Sequence, residues 1–378
     1  MSVSRNLYRI FAFICLSSSI PVTGLAAQTK DLNGDSIADL VWVKSDTGSV
    51  NIWLGGNPTN TISLTVFEQI FQDPEFSGYK VTKVGNYLYN DGQDFVLIGG
   101  TPLKTLPIDS RSLYAPICVD FNTLLATKGD THSTTCGSNP WQLIGVEDFD
   151  GNPHSGEDQK KHDELLWWSS SLNRPVLWFV VSTGKGSSQF FYSVFKRNKV
   201  GWTPKAVLDF DKNGKTDIIW MNPLGDKLVL WKTKKLTPAK TEGKFNIITS
   251  VTPLPKPPNN RGYQFLTAAN LTNDEWVDLV WKDANNQVIV WPMKKSQKLK
   301  KNLSIQISDA THSISADDEI VSTGDFDGDG HTDLVWQNKA TANLSIWYTQ
   351  SSSGSTLTVR EKVGPLSPPA GTGWELIN

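Results

Sequence analysis

The sequence predicts an all-β fold: a β-propeller of four-stranded blades, six blades preferred and seven as the alternative. Three observations carry this expectation. A nine-residue acidic loop recurs six times, with starts at positions 31, 86, 148, 209, 270 and 325 and steps of 55 to 62 residues. Each loop runs into a short apolar strand; in five copies that strand ends in Trp, and a second Trp follows ten or eleven positions on. The two ends of the chain are complementary halves of one such unit. Four-stranded units at this period suit a radial array of sheets. A β-sandwich is the rival architecture, but it does not explain six similar units along one chain.

Taken in order, residues 1–27 read as an export signal. Arg5 and Arg9 supply positive charge, Ile10 to Leu16 is a short apolar run, and small residues around Ala26-Ala27 offer a cleavage site. The run is too short to span a bilayer, and no later stretch reads as a transmembrane segment. A secreted or periplasmic (extracellular) location is therefore expected, with residues 28–378 forming one propeller. Cys118 and Cys136 remain after cleavage. An even pair in an exported chain is expected to form a disulfide, two free thiols being the alternative. A net charge of -2 gives no global field for nucleic acid or a membrane surface. Fifteen Trp against three Met suggests half-buried strand positions rather than a helical core.

The fullest loop is Asp325-Phe-Asp-Gly-Asp-Gly-His-Thr-Asp333, followed by Leu334-Val-Trp336. It sets Asp325, Asp327, Asp329 and Asp333 at positions one, three, five and nine. Carboxylates so close repel one another unless a cation sits among them, and Gly328 and Gly330 permit the tight turn that aims the oxygens inward. This alternating oxygen pattern suits a hard cation such as calcium. Repeat one (Asp31, Asn33, Asp35, Asp39) and repeat four (Asp209, Asp211, Asn213, Asp217) keep an oxygen ligand at all four positions. Repeat three keeps Asp148, Asp150 and Asn152, but an insertion leaves its closure open between Asp163 and Glu164. Repeat five offers a weak set, Asn270, Thr272, Asp274 and Asp278, and repeat two has Leu88 at position three and binds nothing.

An aromatic strand precedes most loops, as at Gly78-Tyr79, Pro140-Trp141, Gly201-Trp202 and Gly262-Tyr263. Gly373 to Asn378 is such a strand without a loop, and the loop at Asp31 lacks its strand. The N- and C-terminal segments are expected to pair and close a ring, hiding an open sheet edge.

The acidic loop, Leu-Val-Trp and the second Trp together resemble FG-GAP/VCBS repeat propellers, a family that includes integrin α heads and exported bacterial proteins. The resemblance covers residues 28–378. It implies calcium in the loops, with a backbone carbonyl at position seven (Ile37, Lys215 or His331) completing each shell, and partners bound elsewhere on the propeller.

Motifs for catalysis return little: there is no His-Glu-x-x-His, Cys-x-x-Cys or Gly-x-Ser-x-Gly. His154, Glu157, Asp158, His162 and Asp163 in the third repeat's insertion form a polar loop, with a metal or acid/base site as the sharper reading. Two basic runs, Lys232, Lys234 and Lys235 after Trp231 and Lys294, Lys295 and Lys298 after Trp291, occupy matching positions in adjacent repeats. Together they would form a patch for an anionic ligand; lysines guarding a sheet edge are the plainer account. The sequence thus points to a monomeric, calcium-stabilised, non-enzymatic binding module for a glycan or cell-surface protein. The alternative is a polysaccharide lyase or hydrolase with its site in the propeller funnel.

Overall fold

The structure is a computed structural model that describes residues 13–15, 27–28, 31–64, 79–85, 94–99, 141–151, 163–182, 188–194, 201–234, 247–255, 262–294, 298, 305–307 and 312–377, a few single positions and short turns within these spans excepted. Apart from a 3-10 turn at Leu54–Gly56, the regular elements among these residues are β-strands. Strands β1 (Phe13–Cys15) and β2 (Ala27–Gln28) come first. Repeat one gives β3 (Leu40–Lys44), β4 (Val50–Trp53) and β5 (Thr61–Leu64), and repeat two gives β6 (Tyr79–Gly85) and β7 (Asp94–Gly99). Repeat three gives β8 (Trp141–Glu147), β9 (Glu164–Ser169), β10 (Arg174–Ser182) and β11 (Ser188–Val194). Repeat four gives β12 (Thr203–Leu208), β13 (Asp217–Met221), β14 (Leu228–Thr233) and β15 (Ile248–Pro253). Repeat five follows with β16 (Gln264–Ala269), β17 (Asp278–Lys282), β18 (Val288–Trp291) and β19 (Ile305–Gln306). Repeat six comprises β20 (Asp318–Gly324), β21 (Asp333–Asn338), β22 (Leu344–Ser352) and β23 (Thr356–Leu366), and β24 (Trp374–Ile377) ends the chain.

Repeats three, four and five each form an antiparallel four-stranded sheet in chain order. Repeat six does the same with β2 added in parallel on β20. Repeat one takes its inner strand from the far end of the chain: β24 pairs antiparallel with β3, Leu376 opposite Trp42. That pairing of the C-terminal strand into the first repeat is the one its sequence called for. The N-terminal segment behaves differently, because β2 lies along β20 rather than extending the first repeat.

These sheets make five blades, not the expected six or the alternative seven. Repeat two forms a three-stranded sheet in the order β1-β7-β6. Its sequence explains the difference: it carries neither Trp of the pair that sets the register of the other hairpins. In the full chain β1, which belongs to the segment read as a leader, lies in parallel along the edge of β7 that a third strand would take. Thr101 to Ser138, the stretch with room for a seventh repeat, lies outside the described residues, as do Cys118 and Cys136.

Burial follows strand order within a blade. In repeat five β17 and β18 are buried at every position, whereas the outer β15 of repeat four is mostly exposed. A run apolar on both faces is what a strand flanked by two neighbouring sheets requires. The tryptophans meet diagonally across the hairpin. Trp42 and Trp53, Trp220 and Trp231, Trp281 and Trp291, and Trp336 and Trp347 have ring centroids 4.8 to 5.2 Å apart. Such pairs contribute about 0.5–1.5 kcal/mol each beyond simple area burial. The apolar clusters are shared between neighbours. Trp220 and Trp231 join repeat three's Trp168, Trp281 and Trp291 join repeat four's Ile219 and Leu230, and Trp42 joins repeat six's Phe326 and Ile346. No helix among the described residues is long and apolar enough to cross a membrane.

Candidate metal centre

In repeats two to six the acidic loop connects the first and second strands and its last carboxylate opens the second strand, whereas loop one leads from β2 to β3 with Asp39 directly before β3. In loop six Asp325 accepts the Gly328 and Gly330 N–H groups at 2.7 and 2.8 Å, and Asp329 accepts His331 N–H at 2.9 Å. Gly328 and Gly330 hold φ of 78° and 82°, the left-handed region expected of them. Asp325, Asp327 and Asp333 bring one oxygen each within 4.8 Å of one another. Oxygens on a common calcium ion at about 2.3–2.6 Å lie no more than roughly 5 Å apart, so this spacing fits. Asp329 stands outside the triad. Arg360 of β23 pairs with Asp327 and comes within 3.9 Å of Asp329.

Loop four repeats the arrangement. Asp209 accepts the Asn213 and Gly214 N–H groups at 3.0 and 2.7 Å, and Asp209, Asp211 and Asp217 converge within 4.8 Å. Asp217 is fully buried; its Oδ1 accepts Thr233 N–H at 2.9 Å. Its Oδ2 and Asp211 Oδ1 are buried without a hydrogen-bond partner among the described residues. An orphaned buried carboxylate oxygen is costly, and an ion among these carboxylates would remove that cost. This all-oxygen set fits a hard cation. Asn213 carries the carbonyl that receives Lys215 Nζ at 3.1 Å.

Loop three is more complete than its sequence suggested. Glu164, not Asp163, closes it: Asp148, Asp150 and Glu164 converge within 4.8 Å. Glu164 is fully buried and accepts Phe149 N–H at 2.6 Å. The insertion had displaced this carboxylate from its expected spacing. Residues 154–162 lie outside the described residues. In loop one Asp31, Asp35 and Asp39 do not form such a triad; Asn33 Nδ2 instead donates to Asp35 at 2.9 Å. A carboxamide at position three closes that turn internally.

Sequence reasoning missed a second task of the ninth-position carboxylate. Asp333 takes Phe326 N–H at 2.9 Å on one oxygen and Thr349 N–H at 2.8 Å on the other. Asp39 does the same with Leu32 and Gly55, and Asp278 with Leu271 and Met293. The buried side chain thus ties its loop to a backbone donor 15 or 16 residues on, two residues after the second Trp. Burial pushes Asp333 and Asp217 up to about 7 and Asp278 up to about 6, despite the lowering by these N–H donors. Burial, then Asp150 and Asp148, raises Glu164 well above the usual range. A bound cation would favour the charged forms and pull Asp217, Asp333 and Glu164 down.

Adjacent loops also dovetail. Ala38 N–H donates to the Asp325 carbonyl and Thr216 N–H to the Asp148 carbonyl, each at 2.7 Å, position eight to position one of the preceding loop. The position-seven side chain covers position four of that preceding loop. Ile37 abuts Gly328, Lys215 abuts Gly151, and His331 Nδ1 lies 3.2 Å from Asn273 Nδ2. The residues assigned as carbonyl ligands at position seven are therefore also the contacts between repeats. A model of the FG-GAP-like repeat matches residues 270–336, from loop five through the second strand of repeat six. The chain is a β-propeller that carries an FG-GAP-like repeat. No curated protein matches it.

Four residues of the two lysine runs are described. Lys232 is half-buried and pairs with Asp211 at 3.0 Å, while Lys234, Lys294 and Lys298 are exposed. Lys235 and Lys295 lie outside the described residues.

Proposed function

We propose that this FG-GAP propeller is exported, uses calcium in its acidic loops as a structural ion, and acts as a non-enzymatic module binding a glycan or cell-surface protein. The observation that carries the metal reading is loop four. Its fully buried Asp217 leaves one oxygen without a hydrogen-bond partner among the described residues, and Asp209, Asp211 and Asp217 bring one oxygen each within 4.8 Å of one another. Loops three and six repeat the convergence, and FG-GAP repeats commonly bind calcium. Asp209, Asp211 and Asp217, and Asp325, Asp327 and Asp333, would hold the ion, with Asp148, Asp150 and Glu164 a third set. The ion would neutralise the carboxylates and fix the corner between the first two strands. Export rests on the reading of residues 1–27 as a leader, and we propose that β24 in repeat one closes the propeller.

Calcium that binds only the folded loops must stabilise them. Purified protein is expected to contain calcium by elemental analysis and to melt at lower temperature in a chelator. An unchanged melt with no bound metal would remove the structural-ion reading. Binding of residues 28–378 on a glycan array separates a lectin from a protein-binding adhesin, whereas turnover of a polysaccharide pool would overturn the non-enzymatic reading.

A further inference from the structure

The loops differ in what stands beside their third-position carboxylate. In loop four, Asp211 pairs with Lys232, the residue directly after the second Trp of that repeat. In repeat six the corresponding residue is Tyr348, which carries no charge at neutral pH, yet Asp327 still has a cationic partner. That partner is Arg360, from the neighbouring strand β23, with its guanidinium 5.9 Å from the Tyr348 ring centroid. Backbone register explains how it arrives there. Tyr348 lies opposite Glu361 and Thr349 opposite Val359, so Arg360 is the extra residue of a bulge. Such bulges re-aim a side chain. Repeat four has a bulge at the same place, with Thr249 as the extra residue between partners Ser250 and Ile248. The two repeats therefore reach one arrangement from different positions, Lys232 with Thr249 in one and Tyr348 with Arg360 in the other.

The remaining sequences sharpen the comparison. Where position three is neutral, at Asn33 and Thr272, the residue after the second Trp is Leu54 or Pro292. Repeat three departs from the pattern, with Asp150 at position three and Phe179 after Trp178.

We propose that Arg360 and Lys232 are built-in counter-cations that hold the third-position carboxylates of loops six and four in the metal-free protein and compete with the metal for them, setting each loop's affinity. This rests on the reading of the loops as calcium sites. A half-exposed ion pair is a modest competitor, so its removal should tighten calcium by about two- to fivefold.

The test is a calorimetric calcium titration of Arg360→Gln in a background carrying Asp148→Asn and Asp209→Asn, which leaves loop six as the remaining carboxylate triad among the described residues. Arg360→Gln should bind calcium more tightly than its parent, melt at lower temperature in chelator, and recover parental behaviour as Arg360→Lys. Lys232→Gln in otherwise native protein, reading loop four, should shift in the same direction and serves if the background variant fails to fold. Equal or weaker calcium binding by Arg360→Gln and Lys232→Gln, with the parents still binding calcium, overturns the competition and leaves the metal reading standing. Absence of calcium binding in every protein, native included, removes the metal reading and this inference with it.

Discussion

The ninth-position carboxylate shows how one side chain serves packing and charge together. In repeat five, Asp278 accepts N–H groups from Leu271, Thr272 and Met293 while position three is the neutral Thr272. Removing it strands these buried donors, which costs about 1–3 kcal/mol for each group left unsatisfied. Asp278→Ala should therefore lower the melting temperature to the same extent in calcium and in chelator. Asp217→Ala should instead abolish most of the stabilisation that calcium confers on loop four. The carboxyls also set a pH dependence. Asp217, Asp333 and Asp278 are pushed up to about 7, 7 and 6, so the folded protein holds protons that the unfolded chain releases near pH 4. Their contribution is complete below that pH and is lost as the pH rises through 6 to 7. In chelator, the melting temperature should fall between pH 5 and 7, and saturating calcium should flatten or reverse that slope. The sequence reveals these residues but not their second role. A carboxylate at this spacing reads alike whether an ion or a backbone N–H sixteen residues away is its partner.

At the scale of the element, the tryptophan pairs carry the register. Trp42, Trp220, Trp281 and Trp336 are buried, and their indole N–H groups have no hydrogen-bond acceptor among the described residues. Their value therefore lies in ring packing. Trp281→Phe keeps a ring against Trp291 and Phe265 and gives up no hydrogen bond, so it should cost well under half of the 3–5 kcal/mol typical of Trp→Ala. Denaturant unfolding of the two variants checks this; equal losses would show that the second ring of the indole is indispensable. These pairs, eleven or ten residues apart, are why the hairpins were legible without coordinates. Loop three was harder to read, because closure by Glu164 depends on how the chain returns from a long insertion, and spacing alone does not constrain that. The bulge that presents Arg360 was equally hidden, since an extra residue in a strand leaves no periodic mark.

For the whole molecule, the informative contact lies between the first and last acidic loops. Loop one docks on loop six as loop four docks on loop three, with the same 2.7 Å bond from position eight to position one. The periodicity revealed this equivalence, but it overcounted the blades, because repeat two kept the spacing and lost the tryptophans that make a full hairpin. The last strand is then a single short element holding a disproportionate share of the architecture. Trp374 and Leu376 of β24 pack on the cluster of Leu40, Trp42, Phe326 and Ile346, and β24 covers the inner edge of β3. Ending the chain at Gly373 removes that cover and leaves a row of unpaired backbone donors and acceptors on an apolar strand, a template for pairing with another copy. The truncated protein should melt several degrees lower and scatter light on heating at concentrations where the full chain stays clear. A synthetic peptide spanning residues 373–378 supplied in excess should restore part of the loss, because it binds only the folded acceptor strand. If truncation leaves both melt and scattering unchanged, β24 is an accessory strand and repeat one is held by its dovetail with loop six alone.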